Sequence, residues 1–221
     1  MIFKPKFISF DCYGTLINFE MGPTAKTLFA DRVSENVMPA FLESFRFYRL
    51  DEVLGDWKPF LDVIKNALQR ACHAHDVEYR ASDAFALYDA VPTWQPHPHV
   101  VETLEIVAQH IPLVILSNSM VDLIPHSVAH LKAPFHAVYT AEEARAYKPR
   151  AQMFEYMFDQ LGCGPEQMMH CSSSFRYDMM TAYDLGFMAR AFIDRGHETY
   201  SEGYGVNRLT DFRQLPGLLG L

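Results

Sequence analysis

The chain has 221 residues, 49% hydrophobic and 21% charged, enough to bury one core or one core with a smaller appended unit. A formal net charge of −8 with no basic stripe argues against nucleic acid as a partner. It leaves room for a small anionic substrate, because a site's local field can oppose the net charge.

Residues 7–10 (Phe-Ile-Ser-Phe) read as a first strand that delivers Asp11 to its carboxyl end, where Gly14 turns the chain. The apolar stretch before Asp11 lacks the length and cleavage pattern of a secretory signal. No run is long enough for a membrane span, so no membrane partner is expected. Cys12, Cys72, Cys163 and Cys171 have no paired spacing, which points to reduced thiols in a cytoplasmic protein. Cys72-His73-Ala74-His75 has no second ligand pair nearby and reads as a polar helix end.

Beyond the first strand the pattern turns helical. Phe41, Phe45, Tyr48 and Leu50 recur at near-helical spacing, and Phe60, Val63, Ile64, Leu68 and Ala71 form an i, i+3, i+4 stripe. Gly55 and Pro59 punctuate the two segments. Pro92, Pro96 and Pro98, with His97 and His99 between and beside them, mark a proline-rich return. After it, strands and helices alternate. Helices are expected over 99–110, 121–131, 151–161 and 177–186, and strands over 113–117, 134–139, 167–171 and 188–193. Continuous apolar strands alternating with helices predict a parallel sheet covered on both faces. Met168-Met169 and Met179-Met180 read as core filler.

Four polar positions fall at predicted strand ends or just before helices. They are Asp11 with Thr15, Ser117-Asn118, Lys148-Pro149, and Ser172-Ser173-Ser174 with Asp178. In a doubly wound sheet these ends share one edge, so the four can converge.

In this order the four elements resemble the haloacid dehalogenase superfamily, and the resemblance covers nearly the whole chain. It implies a Rossmann-like doubly wound α/β core over 1–17 and 93–221, with a helical cap over 18–92. The superfamily's phosphatases carry a second aspartate two residues after the nucleophile, which protonates a leaving alkoxide. They also bind Mg²⁺ with carboxylates of the last motif. Here the first position is Tyr13, and Ser173 and Ser174 stand where a further acid is usual. An alkoxide needs a proton to leave, whereas a halide does not. The pattern therefore looks like the type II 2-haloacid dehalogenases, which use no metal and no other cofactor.

The resemblance implies the following roles. Asp11 attacks the halogen-bearing carbon to form an ester, whose hydrolysis at the Asp11 carbonyl gives net inversion at C2. Lys148 keeps Asp11 ionised. Ser117 and Asn118 bind the substrate carboxylate, and Tyr13 lines the same site. Thr15 and Ser173 or Ser174 orient Asp11. Asp178 positions or activates the water. A cap arginine receives the halide, with Arg46 the first choice and Arg49, three residues on, the second. A homodimer is also implied.

The chain departs from the type II pattern in two places. Phe154 stands where those enzymes have a tyrosine six residues after the lysine, and Phe175 where they have an asparagine three residues before the last aspartate. Arg176 reads equally as an added anion contact or a surface charge. Two rivals stand beside the dehalogenase. One is a Mg²⁺-dependent phosphatase with a degenerate motif. The other is a member that only binds a small carboxylate or a partner protein.

Overall fold

The computed structural model describes residues 4–221. They form two compact units: one made of residues up to Asn18 together with Gln95–Leu221, the other of Phe19–Trp94. Strand β1 (Phe7–Phe10) opens the first unit. The second unit holds α1 (Met21–Leu28), α2 (Met38–Leu54), α3 (Phe60–Ala74) and α4 (Ala81–Ala90). The first unit then resumes with α5 (Val100–Ala108), β2 (Leu113–Ser117), α6 (Ile124–Leu131), β3 (Phe135–Thr140), α7 (Ala141–Ala144) and α8 (Ala151–Leu161). It ends with β4 (Met168–Ser172), α9 (Met180–Asp184), β5 (Ala189–Ile193), β6 (Asn207–Leu209) and α10 (Leu215–Leu219).

The six strands make one sheet in the order β3-β2-β1-β4-β5-β6, parallel throughout. The three central strands are buried at every residue, as apolar strands covered on both faces must be. One side of the core gathers Phe7, Val114, Leu116, Met153, Phe154, Met157, Met168 and Phe187. Helix α8 supplies Met153, Phe154 and Met157 from one stripe and stops at Gly162, whose φ of 60° is left-handed. The chain leaves and re-enters this unit through a short antiparallel contact. Ile17 bridges Pro96, and the Asn18 N–H donates to the Gln95 carbonyl at 2.9 Å.

In the helical unit, α3 buries Val63, Ile64, Ala67, Leu68 and Ala71. Helix α2 buries Phe41 and Phe45 but leaves Tyr48 and Leu50 partly exposed. Glu52 ties three segments together by accepting from Lys58 and Arg70 at 2.8 Å and from Asn66 at 3.0 Å.

Some expected elements are placed differently. The helix expected from 121 begins at Ile124, where Pro125 takes an early position that needs no N–H. The one expected over 177–186 starts earlier, as a widened turn over Phe175–Met179 in which the Met179 N–H reaches the Ser174 carbonyl, and ends at Asp184. Met168, Met169 and Met179 are buried, while Met180 is exposed.

Candidate active site

Asp11 continues the sheet past β1: its N–H donates to the Cys171 carbonyl at 3.0 Å. The chain then folds back tightly. Leu16 and Ile17 both donate to the Cys12 carbonyl, and Gly14 sits at φ 92°, a conformation that favours glycine. This turn brings the Thr15 hydroxyl to 2.6 Å from Asp11 Oδ2. From the end of β4, the Ser173 N–H donates to Thr15 Oγ1 at 2.9 Å, and the two hydroxyls lie 3.1 Å apart.

Lys148 follows α7 and is wholly buried. Its ammonium reaches Asp11 Oδ1, Asp178 Oδ1 and the Leu116 carbonyl, each at 2.8 Å. All three ammonium protons therefore have an acceptor. Asp178, on the widened turn, accepts from Ser172 Oγ at Oδ2 and meets His170 Nε2 at Oδ1, both at 2.9 Å. Side-chain exposure is 11% for Asp11, 1% for Lys148 and 0% for Asp178, so Asp11 is the member that can meet a ligand.

These neighbours set the protonation. Burial pushes the Asp11 carboxyl above its ordinary range and Asp178 adds repulsion, against which Lys148 and Thr15 work. For Asp178, burial is outweighed by Lys148 and His170, which hold its carboxyl below the usual range. Burial disfavours the Lys148 charge, but the two carboxylates overcome it and the ammonium is held more firmly than usual.

The remaining expected residues are placed as follows. Ser117 Oγ, at the end of β2, is buried with no hydrogen-bond partner among the described residues. A buried hydroxyl without a partner is uncommon in a folded protein. Asn118 spends its side chain on Lys148: the Lys148 N–H donates to Oδ1 at 2.7 Å, and Nδ2 donates to the Lys148 carbonyl at 3.0 Å. These two bonds leave one hydrogen of its amide. Tyr13 is partly buried, and Ser127 donates to its hydroxyl at 2.9 Å. Burial, above all, holds its phenol proton more tightly than usual.

Ser174 is separate from the Asp11–Thr15 pair. Its hydroxyl donates to Glu198 at 2.7 Å and accepts from the Tyr177 N–H, capping the widened turn. Arg46 lies on α2 in the helical unit, its half-exposed guanidinium forked onto Glu43. The Arg49 guanidinium lies over the rings of Phe45 and Phe19, 4.8 and 5.2 Å from their centroids. Phe154 is sealed against His170 and Phe187, and Phe175 against Phe192. At the end of α3, His75 bonds Ser44 and Cys72 faces the Glu78 carbonyl.

The sequence motifs did not include Ser9, His170 or Glu198 as site residues. Two of them carried a signal: Ser9 and His170 are polar residues in the interior of mainly apolar strands.

A strand-end carboxylate pinned to a buried ammonium lies at the carboxyl edge of a doubly wound parallel sheet, the edge where such α/β folds bind ligands. The chain belongs to the haloacid dehalogenase-like hydrolase family, whose model matches residues 5–186. It is 25% identical over 189 residues to haloacetate dehalogenase H-2 of Moraxella sp. (strain B), covering 83% of this chain and 84% of that one. It is 26% identical over 187 residues to the (S)-2-haloacid dehalogenase of Xanthobacter autotrophicus, covering 82% and 72%. Its fold is similar to that of the L-2-haloacid dehalogenase from Xanthobacter autotrophicus with chloropropionic acid covalently bound. That match has a TM-score of 0.79 and 21% identity over 98% of each chain.

Proposed function

We propose that this protein hydrolyses short 2-haloalkanoic acids to 2-hydroxy acids through an ester on Asp11, without a metal. One observation carries the choice within the family. Tyr13 stands two residues after Asp11, its hydroxyl tied to Ser127 and its proton held more tightly than usual. A group that holds its proton so firmly is a poor acid for a departing alkoxide, while a halide leaves without one. The two relatives named for haloacid chemistry support the same reading.

In the first step an Asp11 carboxylate oxygen forms a bond to C2, and the carbon–halogen bond breaks with its electron pair leaving on the halide. In the second, water adds to the Asp11 side-chain carbonyl and the ester C–O bond breaks; one water proton goes to the departing hydroxy-acid oxygen, the other to solvent, and the carboxylate re-forms. Only the first step touches C2, so the net outcome is inversion. Lys148 bridges Asp11 and Asp178, and its charge keeps the nucleophile ionised. Ser117 Oγ and the Asn118 backbone N–H receive the substrate carboxylate, and Thr15 with Ser173 orients Asp11. Arg46 supplies the cation for the halide, with Arg49 the second choice. Asp178 has both oxygens bonded and no exposure, so it acts chiefly by fixing Lys148.

The test is ion release by purified protein, with and without chelator. The substrates are both enantiomers of 2-chloropropionate, chloroacetate and a panel of phosphate monoesters. Halide release that resists chelator and vanishes in Asp11→Asn is the expected result. Mg²⁺-dependent phosphate release would overturn it. Arg46→Ala and Arg49→Ala, assayed side by side, decide the halide-side cation.

A further inference from the structure

His170 is a fully buried imidazole in the middle of β4. A polar ring on an inner strand is costly unless its nitrogens are bonded. Here both are: Nδ1 lies 2.8 Å from Ser9 Oγ on β1, and Nε2 lies 2.9 Å from Asp178 Oδ1. The rings of Phe154 and Phe187, 5.4 and 5.6 Å away, flank it. Its position is fixed on four sides.

Hydrogen accounting decides what the ring does. Ionised Asp178 has only acceptors, so Nε2 must carry the hydrogen between them. Ser9 has one hydroxyl proton and two places to send it, the Met169 carbonyl at 3.3 Å or Nδ1 at 2.8 Å. If it goes to Nδ1, that nitrogen accepts; if it goes to Met169, Nδ1 can meet Ser9 only as a donor. In both cases Asp178 receives an N–H from His170 on the same oxygen that holds Lys148.

We propose that His170, seated by Ser9, is a positioning residue that pins Asp178 as the fixed anchor of Lys148 and thereby aims Asp11. The buried line runs Ser9, His170, Asp178, Lys148, Asp11, with every link at 2.8 or 2.9 Å. Four of its five members touch no ligand in the proposed reaction. This role rests on the dehalogenase reading.

Two measurements test it. The first is kinetic. His170→Leu should lower kcat for halide release by about tenfold or more, the scale of a lost hydrogen bond to a charged group. KM should stay within about twofold, because the ring meets no substrate. His170→Gln, whose amide offers an N–H to the same oxygen, should recover most of the rate, and a purely structural role would show no such rescue. Ser9→Ala keeps the ring and loses its seat, so it should lower kcat by a few-fold with KM unchanged, a result readable even if the leucine variant does not fold. Wild-type rate in His170→Leu, or no rescue by glutamine, would overturn the proposal.

The second is a long-range ¹H–¹⁵N spectrum of the wild-type imidazoles. A hydrogen on His170 Nε2 is expected, and one on Nδ1 alone would overturn the proposal without any reference to activity. If wild-type protein releases no halide, the reaction role falls with the function. The spectrum then still reports whether the Asp178–His170 bond exists.

Discussion

Asn118 grips Lys148 by both ends of its amide, Oδ1 accepting the backbone N–H and Nδ2 donating to the backbone carbonyl. The loop that carries the ammonium is thus tied to the end of β2. Asn118→Ala removes both bonds and should cost about 1–3 kcal/mol of stability, read as a lower urea midpoint. Halide release should drop further than folding alone explains, because Lys148 then wanders from Asp11. Unchanged kcat in a folded variant would contradict this.

Acidification should silence the enzyme before it unfolds it. Asp11 has a raised proton affinity, so the nucleophile is lost above the ordinary aspartate value of about 3.9. Asp178 is depressed, so the stability it contributes is present above that ordinary value and goes only as pH falls through its lowered one. The raised Asp11 has the opposite sign, with its contribution present below the ordinary value and lost as pH rises through the raised one. Far-UV circular dichroism and halide release, followed down the same pH series, should show a folded but inactive window. Coincident curves would argue against it. In Lys148→Met the activity limb should move to higher pH.

Gly14→Ala tests the turn after the nucleophile. An added Cβ would meet Ser173 Oγ at 3.5 Å and His197 at 3.8 Å, ordinary contact distances, so space is not the obstacle. The backbone is: φ is 92°, and holding alanine there should cost about 1–3 kcal/mol. The thermal midpoint should fall accordingly, and kcat with it, since Thr15 loses its aim at Asp11.

Glu198 is the acid that stabilises the turn carrying Asp178. It accepts from Ser174 Oγ and from the Phe175 N–H, both at 2.7 Å. Glu198→Ala should cost about 1–2 kcal/mol, the range for losing a capping group at a helical start. Glu198→Gln keeps an amide oxygen for the Phe175 N–H and should lose less. Equal loss in both variants, measured by denaturant titration, would mean that charge rather than hydrogen bonding is at work.

Apolar runs mark five of the six strands, and the strand-end pattern marks Asp11, whereas Lys148, in a loop before α8, stands out only through the family resemblance. The edge of the fold was not readable that way. Strand β6 is Asn207-Arg208-Leu209, three residues with no apolar run, and α7 has four. Hydrogen-bond partners were also beyond spacing. Asn118 and Ser174 look alike as strand-end polar residues, yet one clamps a loop and the other caps a turn onto Glu198. Which role each takes depends on backbone direction 30 and 24 positions away. His170 stayed hidden because a single polar residue does not disturb a strand's apolar pattern.

The contacts at the heart of the site join distant parts of the chain. Asp11 and Lys148 are 137 positions apart, Thr15 and Ser173 158, Ser9 and His170 161. A chain emerging from the ribosome therefore carries Asp11 as an ordinary hydrated acid for most of its synthesis. Closing the central strand over it before the lysine arrives would leave the carboxylate unpaired or force it to take up a proton, and either costs free energy. Burial of the acids is therefore favoured together with capture of their cation, an event delayed by the long loop it closes. A polypeptide cut short before Lys148 would then be an unfolded chain, not a slower catalyst.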